Sequence, residues 1–214
     1  MRDPISMTAI ILAGGKSSRM RRDKALLPFG EKTMLEHIVD LVSPIFDETI
    51  VIVDTIAKVE NLKLCEAQVY DDLIKNRGPL AGIYTGLSHS KTRANCVFTC
   101  DMPFIDPFLV EELVKFWEEN YDVICLEDTE GRLQPFPGIY DRSSRHLMRL
   151  LLDKGYGSML RFLEVVTAKL LVLKREKIQV LTNMNTVEDY YRVLSAKKDG
   201  SAFGGREKQE KVME

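Results

Sequence analysis

Leu12-Ala13-Gly14-Gly15-Lys16-Ser17-Ser18-Arg19-Met20-Arg21-Arg22-Asp23-Lys24 brings together the residue types that hold a phosphate chain. Two glycines after a β-branched run (residues 8–12) permit a sharp turn whose backbone N–H groups can approach an anion. Arg19 and Lys24 add fixed positive charge beside that turn. Two better-known phosphate loops are excluded by spacing. A P-loop needs glycine five positions before its Gly-Lys pair, and that position is Ile10. A dinucleotide loop needs glycines at 16 and 19, where Lys16 and Arg19 stand. The plain alternative is a surface turn with solvated basic residues, so the rest of the chain has to decide.

A second group of chemistry-bearing residues is carboxylic. Val97-Phe98-Thr99-Cys100-Asp101-Met102-Pro103 sets one acid at the end of an apolar run, fixed by a proline two residues on. Asp71 and Asp72 follow another such run. A phosphate site that also offers a carboxylate requires a cation between like charges, and Mg²⁺ suits one or two carboxylates plus substrate phosphates. Asp101 is therefore the expected metal ligand. Asp106, before Pro107, reads only as a helix cap. Between the acids, Arg77-Gly78-Pro79-Leu80-Ala81-Gly82-Ile83 reads as a turn into a helix, with Gly82 leaving room for a flat ring or sugar.

These groups need elements to position them. Strand-like runs fall near 8–13, 48–54, 66–70, 96–100, 122–126 and 168–173, and helical patterns near 32–43, 80–90, 107–120, 143–153, 157–165 and 186–197. That alternation predicts an α/β fold, a three-layer α/β/α arrangement on a mostly parallel sheet, with ligands outside the carboxyl ends of the strands. Leu133–Tyr140 carries two prolines and is expected at an edge or as an irregular strand.

The bulk numbers fit such a domain. The 214 residues are 45% apolar and 29% charged, with 30 Lys and Arg against 32 Asp and Glu, a net charge of −2. There is no basic excess to suggest nucleic acid, no membrane-length apolar run, and no signal-peptide pattern at the start. Cys65, Cys96, Cys100 and Cys125 form no CxxC pair, which predicts buried reduced thiols and a cytoplasmic location. His37 reads as a helix residue. Met7 offers an alternative start, making residues 1–6 an extension.

LAGGKSSRM, Lys24, Asp71, GPLAGI, CDMPF and NMNTVED, in that order from residue 8 to about 194, resemble the molybdenum cofactor guanylyltransferases. The resemblance implies a Rossmann-like nucleotidyltransferase domain over 7–196, and GTP and molybdopterin as substrates with pyrophosphate released; the polar composition of 197–214 predicts a disordered tail. Leu12, Ala13 and Gly14 would then meet the guanine nucleotide, Lys24 its phosphates, Asp71 the nucleotide, and Asp101 both Mg²⁺ and nucleotide. Asp71 is preferred to Asp72 because it lies seven residues before Gly78. Gly15, Gly78, Asn183 and Asn185 would face the pterin. Arg19, Lys24 and Asp101 would carry the catalysis, and molybdopterin-handling proteins and apo-molybdoenzymes would be partners. Arg21 stands where the family has glycine, and Val187 where it has proline; Arg161 has no aligned counterpart. Rival readings are a cytidylyltransferase, whose signature usually has alanine at Gly14, and a non-catalytic nucleotide-binding adaptor.

Overall fold

The computed structural model describes residues 6–14, 23–173, 184 and 186–198. Its centre is a seven-stranded sheet in the order β5-β4-β1-β6-β8-β7-β9. These strands are Met7–Leu12 (β1), Glu48–Val53 (β4), Gln68–Asp71 (β5), Ala94–Thr99 (β6), Val123–Glu127 (β7), Leu133–Asp141 (β8) and Ala168–Val172 (β9). A small hairpin, Pro28–Phe29 (β2) and Lys32–Thr33 (β3), stands apart. The helices are Met34–Val42 (α1), Pro79–His89 (α2), Pro107–Lys115 (α3), Arg145–Asp153 (α4), Met159–Leu163 (α5) and Val187–Lys198 (α6).

Strand alternation explains the layers. In β1, Met7, Ala9 and Ile11 turn to one face and join α1 and α3 residues such as Ile38 and Leu109. Ile10 and Leu12 turn to the other, against Leu80, Ile83 and Leu87 of α2 and Phe162 of α5. β1, an interior strand, is buried along its whole length, as expected of a strand covered on both faces. α2 approaches β1 closely because it carries glycine where it crosses. A Cβ at Gly86 would stand 2.5 Å from Cγ2 of Ile10, and one at Gly82 would stand 3.0 Å from Cδ2 of Leu12. The space at Gly82 is thus filled by Leu12, although Gly82 also lines the cavity described below.

The sheet is mostly parallel, as expected, but Leu133–Tyr140 is not at its edge. β8 runs antiparallel between β6 and β7. The prolines are accommodated by a register break. Leu126 faces Gln134 and Ile124 faces Ile139, so Pro135 and Pro137 fall in the irregular stretch, and β6 pairs only with Gly138–Asp141. The final helix runs to Lys198, two residues beyond the expected domain end; 199–214 lie outside the described residues. Among the described residues no helix is long and apolar enough to cross a membrane.

Candidate active site

Four parallel strands deliver residues to one rim. Gly14 follows β1, Asp54 follows β4, Asp72 follows β5 and Asp101 follows β6. Backbone bonds carry the ladder just past the strand ends: Ala13 N–H to Ile52 O at 2.8 Å, Cys100 N–H to Leu12 O at 3.1 Å, and Asp72 N–H to Val53 O at 2.8 Å. These loops begin at fixed positions rather than wandering. A cavity of about 420 Å³ opens at this rim, of the size that small-molecule ligands occupy.

Lys24 and Asp101 meet there. Lys24 sits in a one-turn 3-10 helix, Lys24–Leu26, capped by the Asp23 side chain, which accepts from Ala25 N–H at 3.2 Å. Lys24 Nζ reaches Oδ2 of Asp101 at 3.0 Å, and Thr99 Oγ1 donates to the other carboxylate oxygen at 2.7 Å. Both partners are about four-fifths buried, at 16% and 19% side-chain exposure, so this pair is less screened than a surface bridge. Gly14, Lys24 and Asp101 thus share one cavity, as the sequence predicted.

Other predicted residues stand as follows. Leu12, Ala13, Gly14 and Gly78 line the cavity. Gly78 takes φ +73° at the start of α2, which only glycine adopts without strain. Asp71 does not line it: Oδ1 of Asp71 accepts from Ile56 N–H at 2.8 Å, and its neighbour Asp72 lines the cavity instead. Successive side chains of an extended segment point to opposite sides, so choosing between the two by spacing amounts to choosing a side. Asp72 is also a brace, accepting from Ile74 N–H at 3.1 Å and Thr85 Oγ1 at 2.8 Å. Gly15, Arg19, Asn183 and Asn185 lie outside the described residues. Met184, between the two asparagines, donates its N–H to Asp101 O at 2.9 Å, so the chain at that point is fastened beside the acid. Met184 is buried with Leu27, Phe29, Met34 and Val193, joining α6 to the hairpin that follows Lys24. Arg161 does not line the cavity and pairs with Glu164 at 3.0 Å.

Sequence reasoning missed Asp23, Asp54 and Arg77, all of which line the cavity. Lys58 bridges the first two, with Nζ at 3.3 Å from Asp23 and 3.4 Å from Asp54. Although burial acts to lower it, the two carboxylates raise the Lys58 pKa, so the bridge keeps its charge. The signal for Asp54 was available: Ile50-Val51-Ile52-Val53-Asp54 ends an apolar strand in an acid, as Val97 to Asp101 does. A methyl on Gly14 would stand 2.6 Å from Oδ1 of Asp54, so the first glycine of the signature is matched to that acid.

The lining residues include no histidine among those described. Cys100 lines the cavity, yet burial and the nearby Asp101 carboxylate push its thiol pKa far up, leaving it protonated and a poor nucleophile. Cys96 and Cys125 are buried and free as expected; Cys65 is exposed, a departure, with Sγ 3.2 Å from Asp40. Asp106 caps α3 through Phe108 N–H at 2.9 Å, and His37 lies half-buried on α1, 3.0 Å from Pro103 O.

Fold and site together define the class: an α/β nucleotidyltransferase, with ligand groups at the carboxyl ends of parallel strands and a lysine brought against one of the acids. Residues 9–170 match the MobA-like NTP transferase domain family, and the chain belongs to that family. A Carboxydothermus hydrogenoformans protein named "Probable molybdenum cofactor guanylyltransferase" is 32% identical over 197 residues, covering 88% of this chain and 95% of that protein. Among solved structures, the Archaeoglobus fulgidus molybdopterin-guanine dinucleotide biosynthesis protein A superposes with a TM-score of 0.78 at 23% identity, over 90% of this chain and 99% of that one. A Mycobacterium tuberculosis protein solved as a manganese complex superposes with a TM-score of 0.68 at 18% identity, over 89% and 99%.

Proposed function

We propose that this enzyme transfers GMP from GTP to the molybdopterin cofactor, forming the guanine dinucleotide and pyrophosphate. The observation that carries the reading is the Lys24–Asp101 contact, 3.0 Å long, inside a cavity that opens on the Gly14 turn. Relatives about as long as this chain and named for this reaction support it.

Magnesium is part of the proposal. Among the described residues no three His, Cys, Asp or Glu side chains converge to cage an ion. The cavity's aspartates, Asp101 among them, offer oxygen donors of the kind Mg²⁺ takes, one or two carboxylates together with substrate phosphates. Asp101 would hold it, and the ion would supply neutralisation of the phosphate charge. The manganese-bound neighbour of like fold is consistent with this role.

The chain's own groups account for the rest. A phosphate of molybdopterin attacks the α-phosphorus of GTP in line, and the bond to the β,γ-pyrophosphate breaks. The nucleophile is already an anion, so no side chain has to remove a proton, in keeping with a cavity lined by no described histidine. Lys24 meets the charge that grows on the phosphates, with Arg19 proposed beside it. Positioning and preorganised charge therefore supply the rate. Lys24 leaves Asp101 for the phosphates as substrate binds, and Thr99 keeps the carboxylate oriented meanwhile.

Pyrophosphate release from GTP, CTP and ATP, with and without molybdopterin, tests the reading. Release from GTP that requires molybdopterin is expected. CTP as the preferred donor would replace the guanylyl reading with the cytidylyl one, and silence with every nucleotide would leave the adaptor reading.

A further inference from the structure

We infer that Arg77 is the cation that receives the phosphate of the second substrate, and that Gly157 holds Arg77 in place. The inference rests on the transferase reading above and goes beyond it by naming the cation, next to Gly78, that takes the nucleophile's phosphate.

Among the described residues that line the cavity, the cations are Lys24 and Arg77. They arrive from opposite layers of the sheet. The turn carrying Lys24 packs through Ala25 into the core shared with α1 and α3. Arg77 stands two residues before Pro79, the first residue of α2, whose Leu80, Ala81 and Ile83 belong to the core on the other face. In-line displacement at phosphorus puts the attacking and leaving oxygens on opposite sides of the centre. A site served by two cations from opposite sides of a sheet edge meets that requirement. Lys24, beside the proposed metal ligand, belongs to the departing pyrophosphate. Arg77 is left for the incoming phosphate, and its guanidinium fork suits a phosphate oxygen pair.

Arg77 is also in a built position. Its Nη1 donates to Gly155 O at 3.4 Å, and no described carboxylate lies within ion-pair distance of it. The segment Gly155-Tyr156-Gly157 lies tight against the Arg77 backbone. A Cβ at Gly157 would overlap the Arg77 carbonyl oxygen, and one at Gly78 would stand 3.2 Å from Gly157 O. Gly155 takes φ +86°. Gly157 is thus required by the close approach of this segment to the arginine's turn and Gly155 by its positive φ, a placement that sequence spacing gave no reason to expect.

Calorimetry on the full chain separates the two substrates, with molybdopterin and GTP–Mg²⁺ titrated in separate experiments. Arg77→Ala is expected to weaken molybdopterin binding about ten- to a hundredfold, the loss typical of a charge-assisted hydrogen bond, and to leave GTP affinity within about twofold. Arg77→Lys keeps the charge without the fork and should recover part of the loss. Gly157→Ala should weaken molybdopterin in the same sense, and an unchanged circular-dichroism melt would separate this from unfolding. Equal weakening of both ligands by Arg77→Ala, or of neither, would overturn the assignment. A chain that binds molybdopterin through Arg77 but never binds GTP would remove the guanylyl reading and leave this inference standing.

Discussion

Two concavities of nearly equal size lie at opposite ends of β6. One, of about 420 Å³, follows its carboxyl end at Asp101; the other, of about 450 Å³, sits at its amino end, where Arg142 N–H bonds to Arg93 O. The second is lined by Lys91, Arg93, Arg142, Arg145 and His146, with Asp141 as its acid. Charge alone would send a triphosphate there. The first is lined by four aspartates and two cations among the described residues, a poor site for a bare polyanion. It becomes a good one only when a divalent ion accompanies the phosphates. The comparison teaches that strand-end carboxylates able to hold an ion, rather than net positive charge, distinguish the first cavity. Strand ends, a 3-10 turn and the Met184 bond fix the groups of the first cavity. In the second, Arg93 is tied to Asp141 and Glu119, and Arg142 and Arg145 bond backbone carbonyls.

The largest expected effect breaks the first cavity. Lys24→Ala and Asp101→Ala should each lower kcat/KM about 10²–10³-fold, equivalent to roughly 3–4 kcal/mol of barrier, with the melting temperature little changed. Steady-state pyrophosphate release checks this, and near-normal turnover in either variant removes that residue from the mechanism.

Next comes the wall behind the cavity. Gly86→Ala pushes a methyl into Ile10 at 2.5 Å and should cost about 1–3 kcal/mol of stability, seen in urea unfolding, without altering the KM of the folded fraction. A neutral result would mean that α2 can slide, and that the rim is softer than proposed. A smaller effect separates the neighbouring acids. Asp72→Ala should reduce kcat/KM about tenfold through loss of the braces to Ile74 and Thr85, whereas Asp71→Ala, which frees only Ile56 N–H, should change it about twofold. The reverse order would restore Asp71 as the nucleotide contact. Least of all, the double substitution Arg142→Ala with Arg145→Ala should leave kcat/KM within about twofold, since that groove lies at the other end of β6 from the proposed site. A loss as large as that of Lys24→Ala would overturn the comparison.

Much of this was legible in the chain. Strand–helix alternation gave the parallel sheet and its ligand-binding edge, and the acid ending Val97–Asp101 was correctly set beside Lys24, because both signals are local. What escaped was decided by tertiary packing. The prolines of Leu133–Tyr140 argued for an edge or an irregular strand; the strand is irregular, and the register break between β7 and β8 is what lets it lie in the interior. Asp72 replaced Asp71 at the cavity because one residue of phase reverses a side chain's direction. The packing of Gly157 against the Arg77 backbone, about eighty residues apart in sequence, has no local signal at all.

The account stands most directly on where a nucleotide and its metal bind. A crystal grown with a non-hydrolysable GTP analogue and Mn²⁺ and measured at the manganese edge answers this. An anomalous peak bonded to Asp101, with the triphosphate against Lys24, is the predicted result. A triphosphate lodged among Lys91, Arg142 and Arg145, or manganese bound away from Asp101, would contradict it.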